Sequence, residues 1–111
     1  AAARSALEQM QSVIRRQRGW ANVVVYANLG YVKAKTGQPA EGLRMIRRSL
    51  ELSAENPYAH RNLGVALLAL DRRDEACDAF REAINQNYDT AFPASMQFGV
   101  HPADLIKKHC P

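Results

Sequence analysis

When the chain is slid against itself by 34 residues, residues 23–56 fall on residues 57–90. A repeat of that period dictates stacked supersecondary units rather than one mixed fold. Asn28-Leu29-Gly30 meets Asn62-Leu63-Gly64, Glu41 meets Glu75, and Arg47 meets Arg81. Class matches follow: Gly42 with Ala76, Ile46 with Phe80, Ser49 with Ala83 and Leu50 with Ile84. These positions are where helix packing restricts size or requires apolar character.

Each unit reads as two helices. Asn56-Pro57 sets a capping side chain before a proline, a favourable start for a helix. Leu63, Ala66, Leu67 and Leu70 then recur at the i, i+3, i+4, i+7 spacing of an apolar helical stripe. Asp71-Arg72-Arg73 interrupts it, and Asp74-Glu75 open the next helix with acids where the macrodipole favours them. Ala76, Phe80, Ala83 and Ile84 are expected to form that helix's buried face. In the first unit Gly37 is placed to end a helix and Pro39 to open the next, whose stripe is Leu43, Ile46 and Leu50. Gly30 and Gly64 are expected where the two helices of a unit approach closely.

With these residues in place the chain resembles the tetratricopeptide repeat family. The matching positions are Tyr26, Leu29-Gly30, Gly37, Gly42, Ile46 and Ser49-Leu50 in the first unit. In the second they are His60, Leu63-Gly64, Ala76, Phe80 and Ala83-Ile84. The segment Asn56 to Asn87 carries the stronger likeness; the first unit departs at Gly42 and Ile46, and Ala54 and Tyr88 stand where the family has a closing proline. The resemblance implies an all-α fold, a right-handed α-solenoid of helical hairpins. The expected organisation is one domain, 1–111, with flanking capping helices: an N-terminal helix or half repeat at 5–22, repeats at 23–56 and 57–90, and a C-terminal capping tail at 91–111. In the N-terminal flank Leu7, Met10, Val13 and Ile14 have helical spacing and Gly19 reads as a stop. Pro93 and Pro102 punctuate the tail into segments 91–99 and 102–110.

Composition excludes several classes of function. At 47% apolar and 23% charged the chain is globular rather than disordered, and no apolar run approaches the ~20 residues of a membrane span. The start at Ala1-Ala2-Ala3, without Met, reads as a processed form or a segment of a longer chain. Cys77 and Cys110 lack a CxxC spacing and are expected to be free thiols, Cys77 as a small buried hydrophobe and Cys110 exposed, in a reducing, cytoplasmic setting; a periplasmic or secreted form is the alternative. No nucleophile elbow, HExxH, phosphate-binding loop or dinucleotide fingerprint occurs, so no enzyme activity is expected. No cofactor is expected either. The separation of His101 from His109 and Cys110 is no chelating spacing, so no metal site is expected.

The charge is uneven: +7 over residues 1–50, from nine Lys/Arg against Glu8 and Glu41, and −3 over 51–111, from six Lys/Arg against nine acids. A basic first half steers acidic partners. Arg44, Arg47 and Arg48 form a basic patch on the first unit's second helix, with only Trp20 as a nearby aromatic, and nucleic-acid binding is not expected.

The expected function is a non-catalytic protein–protein interaction module. The resemblance implies a concave groove lined by Val24, Ala27, Asn28, Tyr31 and Lys35 from the first unit, and by Tyr58, Arg61, Asn62, Val65 and Ala69 from the second. Their spacing of three and four supports one shared helix stripe. The expected partner-binding residues are Asn28, Tyr31, Lys35, Tyr58, Arg61 and Asn62, gripping an extended or helical peptide of acidic character. Asn28 and Asn62 would hold its backbone, and Lys35 and Arg61 its carboxylates. Ala27 breaks the family's carboxylate-clamp pattern, so chaperone tails are not the expected ligand. The alternatives are an accessory or scaffolding region of a larger enzyme or of a secretion or assembly machine, and a self-assembling scaffold, a homo-oligomer through terminal repeats.

Overall fold

A computed structural model describes residues 2–91 and 99–111; over 2–21 and at 91 it describes the backbone alone, apart from Ala6, Glu8, Gln9 and Gly19. The expectations for the side chains of Leu7, Met10, Val13, Ile14 and Trp20, and for most of segment 91–99, lie outside the described residues. The elements are α1 (Ala2–Lys35), α2 (Pro39–Leu52), α3 (Pro57–Ala69), α4 (Arg73–Asn85), α5 (Tyr88–Ala91) and α6 (Pro102–His109). Among the described residues there is no strand. The architecture is an all-α stack of helical hairpins: α1 pairs with α2, α3 with α4, α3 packs against both α1 and α2, and α6 packs on α4.

Local chemistry sets the boundaries. The Asn56 side chain accepts from the Ala59 N–H at 3.1 Å and Pro57 opens α3. Gly37 (φ +90°) and Asp71 (φ +59°), 34 residues apart, each take the left-handed conformation that closes the first helix of a unit. Within each hairpin a glycine lets the helices touch. A Cβ at Gly30 would meet Ile46 and the Gly42 carbonyl, and one at Gly64 would meet the Phe80 ring. The core follows from this contact: Ala34, Leu43, Ile46, Ala66, Leu67, Ala76, Ala79, Phe80 and Leu105 form one cluster, with Leu50 and Leu63 packed against it. Inside the first hairpin the buried Ser49 hydroxyl donates to the Val23 carbonyl at 2.7 Å. Ile84 is more exposed than its place in the repeat implies.

Two further expectations need correction. Gly19 does not stop a helix; α1 runs unbroken through it, with nothing within 4 Å of where its Cβ would be. A glycine weakens a helix interior by about 1 kcal/mol but ends one only where the backbone turns left-handed, as at Gly37. Cys77 and Cys110 are not free thiols. They form a disulfide with a Cα–Cα distance of 5.8 Å that ties the end of α6 to α4. Cys77 is buried as expected, but the packing of α6 on α4 brings Cys110 to it.

Candidate functional site

A groove of about 520 Å³ lies between α1, α3 and α6. Tyr31, Ala34 and Lys35 come from α1, and Arg61, Val65, Leu68 and Ala69 from α3. Val100, Asp104, Leu105, Lys108 and His109 supply the opposite wall. Its floor is apolar. Lys35 and Lys108 are exposed at the rim, and among the described residues Asp104 is the only acid in the lining.

Beneath this floor Arg61 is fully buried. Its guanidinium lies 4.5 Å from the Tyr31 ring centroid and 4.6 Å from that of Tyr58, so two aromatic faces cover the cation. It also hydrogen-bonds Tyr88, whose ring stacks on Tyr58 at 6.2 Å. Burial raises the Tyr88 pKa above the ordinary tyrosine value, with Arg61 opposing that rise. The chain before α6 closes over this cluster: a Cβ at Gly99 would come within 2.5 Å of Arg61 Nη1 and 2.6 Å of the Tyr31 hydroxyl oxygen.

His101 joins the same cluster from the other side. Its ring meets Tyr88 edge-on at 5.0 Å, its Nδ1 accepts from the Ala103 N–H at 3.0 Å, and its Nε2 lies 2.6 Å from an Asp89 oxygen. With Nδ1 accepting, a neutral ring carries its proton on Nε2 and donates it to Asp89. His101 therefore caps α6 and links it to α5.

The expected site residues divide. Tyr31, Lys35 and Arg61 are brought together in the groove. Arg61 does not reach a partner as an exposed cation, because the tyrosines and Gly99 enclose it. Tyr58 is buried against Arg61 and Tyr88. Asn62 is fully buried, and its amide donates to the Ala27 carbonyl at 3.0 Å, joining α3 to α1 rather than facing the groove. Asn28 is exposed on α1 but lies outside the groove lining. Sequence reasoning missed Val100, Asp104, Leu105, Lys108 and His109, because only the fold brings the C-terminal helix beside α3. The adjacent apolar pair Leu105-Ile106 is the signal in the sequence that α6 has a packed side.

The period of 34, the glycine contacts within each hairpin and the left-handed closures repeat from one unit to the next. Residues 57–90 match the tetratricopeptide repeat. No curated protein matches the chain. The tetratricopeptide repeat is in general a non-catalytic module for protein–protein interaction. No helix among the described residues is long and apolar enough to cross a membrane.

Proposed function

We propose that this chain holds a segment of a protein partner, an acidic peptide in extended or helical form, in the groove between α1, α3 and α6. The observation that carries the reading is the lining: an apolar floor of Ala34, Val65, Leu68, Ala69 and Leu105 beneath exposed Lys35 and Lys108. Tyr31 supplies an amphipathic wall, suited to an apolar side chain next to a polar backbone. Arg61 acts from below. Held in place by Tyr31, Tyr58 and Tyr88, it orients the wall and adds positive potential without desolvating a ligand carboxylate directly. The roles of Tyr58 and Asn62 become supporting ones, through Arg61 and through the α1–α3 contact. The disulfide favours an oxidising compartment over the cytoplasmic one expected from composition.

Affinity for such a peptide should be micromolar, about −8 kcal/mol. Because the rim lysines are solvated, binding should weaken as salt rises. An array of acidic peptides, followed by titration against Tyr31→Ala, Lys35→Glu and Lys108→Glu, tests the site. Binding that survives all three substitutions in folded protein rules the groove out.

A further inference from the structure

We propose that the outward face of α1 formed by Val25, Asn28, Leu29 and Val32 docks an acidic helix through the contacts by which α3 holds the first hairpin. Val25, Leu29 and Val32 follow one another at i, i+4 and i+7 and are 55, 42 and 52% exposed. Isolated exposed aliphatics are ordinary on a protein surface, whereas a stripe along one helix face marks a contact. The 34-residue period carries these three positions onto Ala59, Leu63 and Ala66 of α3, and Asn28 onto Asn62. In the second unit all four are engaged. Ala59 and Ala66 are fully buried, Leu63 packs on the core, and Asn62 donates to the Ala27 carbonyl across the layer between α3 and α1. The face on α1 is the same surface one repeat earlier, with the exposed Asn28 amide in position to grip a helix backbone.

Two features define the occupant. Where α3 presents Ala59 and Ala66, α1 presents Val25 and Val32. Helix axes pack about 8–10 Å apart, so the small residues must come from the arriving helix. The second feature is charge. α1 carries Arg4, Arg15, Arg16, Arg18, Lys33 and Lys35 against Glu8 alone, and α2 carries exposed Arg44, Arg47 and Arg48 against Glu41 and Glu51, which pair with Lys33 and Arg48, so the two helices together are +6. A second copy pairing through this face would set the same basic helix against itself, which opposes association. A second copy stacking end to end would need the side of α4 that α6 already occupies. The surface therefore fits an amphipathic helix with Ala or Ser along its contact stripe and Asp or Glu beside it.

The test uses the intact, oxidised chain and two synthetic helical peptides with one Ala- and Leu-based contact stripe, flanked by Glu in the first and by Lys in the second. Binding is read by fluorescence anisotropy. The Glu peptide should bind, and the Lys peptide should bind about tenfold more weakly or worse. Leu29→Asp and Val32→Asp, both at exposed positions, should each weaken the Glu peptide by about tenfold with an unchanged circular dichroism spectrum. Asn28→Ala should weaken it about threefold, and Tyr31→Ala, which removes binding in the groove, should leave the Leu29-dependent part of the signal unaltered. No binding of the Glu peptide, equal binding of the two peptides, or binding indifferent to Leu29→Asp overturns the proposal. Loss on Tyr31→Ala alone also overturns it and assigns the peptide to the groove. A dimer of the chain in sedimentation, dissolved by Leu29→Asp, overturns it by making a second copy the occupant.

Discussion

Reducing the Cys77–Cys110 bond should remove a large part of the stability of this fold. The two cysteines are 33 residues apart, and closing a loop of that length in the unfolded chain is worth about 4 kcal/mol in the chain-entropy account. A domain of this size has a total stability of about 5–15 kcal/mol, so the loss would amount to a quarter or more of it. The cleanest perturbation is Cys110→Ser, because Cys110 is half-buried and its replacement leaves the buried Cys77 sulfur in place. Wild type should be compared with this variant, and with wild type in a phosphine reductant, by urea unfolding followed at the helical dichroism band. With a urea slope of about 2 kcal/mol per molar, the midpoint should fall by roughly 2 M in both cases. Thiol titration of the denatured, unreduced wild type should find no free sulfhydryl. A midpoint that moves by less than about 0.5 M, in protein whose disulfide is verified by mass, would refute the claim that this bond restrains the unfolded chain and holds α6.

The same substitution should have opposite signs at two glycines: Gly64→Ala, where the Phe80 ring fills the Cβ position, should cost about 1–3 kcal/mol. Gly19→Ala, with no neighbour in reach, should gain about 0.5–1 kcal/mol, and equal effects in thermal melts would contradict the packing assignment. Ser49→Ala leaves the Val23 carbonyl without its buried hydroxyl donor and should cost about 1–2 kcal/mol in urea unfolding. Tyr88 has its pKa raised by burial, so its neutral form favours the folded state. That contribution is complete below pH 10, the ordinary tyrosine value, and is lost as pH climbs through the higher native value. Stability measured from pH 8 to 11 should therefore fall more steeply in wild type than in Tyr88→Phe, and parallel curves would contradict the assignment.

The second hairpin is legible in the sequence because its signals are local. Asn56-Pro57 caps it, and the Leu63, Ala66, Leu67, Leu70 stripe states its buried side within about two turns. Gly37 reads correctly as a closure because Pro39 stands two residues on, whereas Gly19 has no such neighbour and its identity alone says nothing about φ. The groove was legible only as a set of positions. Arg61 reads as an exposed cation because arginine is seldom fully buried. Its burial depends on Tyr31 from another helix, on Tyr88 and on Gly99, and only Tyr58, one turn earlier on α3, is a local hint. The repeated asparagine was visible, but its direction was not, since the Ala27 carbonyl that Asn62 meets lies 35 residues away. The disulfide gives no signal in sequence, because its two partners meet only when α6 settles on α4.

The unbroken course of α1 makes it a protractor as well as a strut. It advances about 1.5 Å and turns about 100° with each residue, so its 34 residues span about 50 Å, of which the 14-residue α2 can accompany less than half. Whatever is carried on its first turns stands at an angle about the axis that is set by a residue count and by nothing else. One residue inserted after Gly19 would swing those turns by about 100° relative to the hairpins, while seven would bring them back to within about 20° and shift them outward by about 10 Å. A loop would forgive either change; this helix converts the first into misalignment and the second into reach.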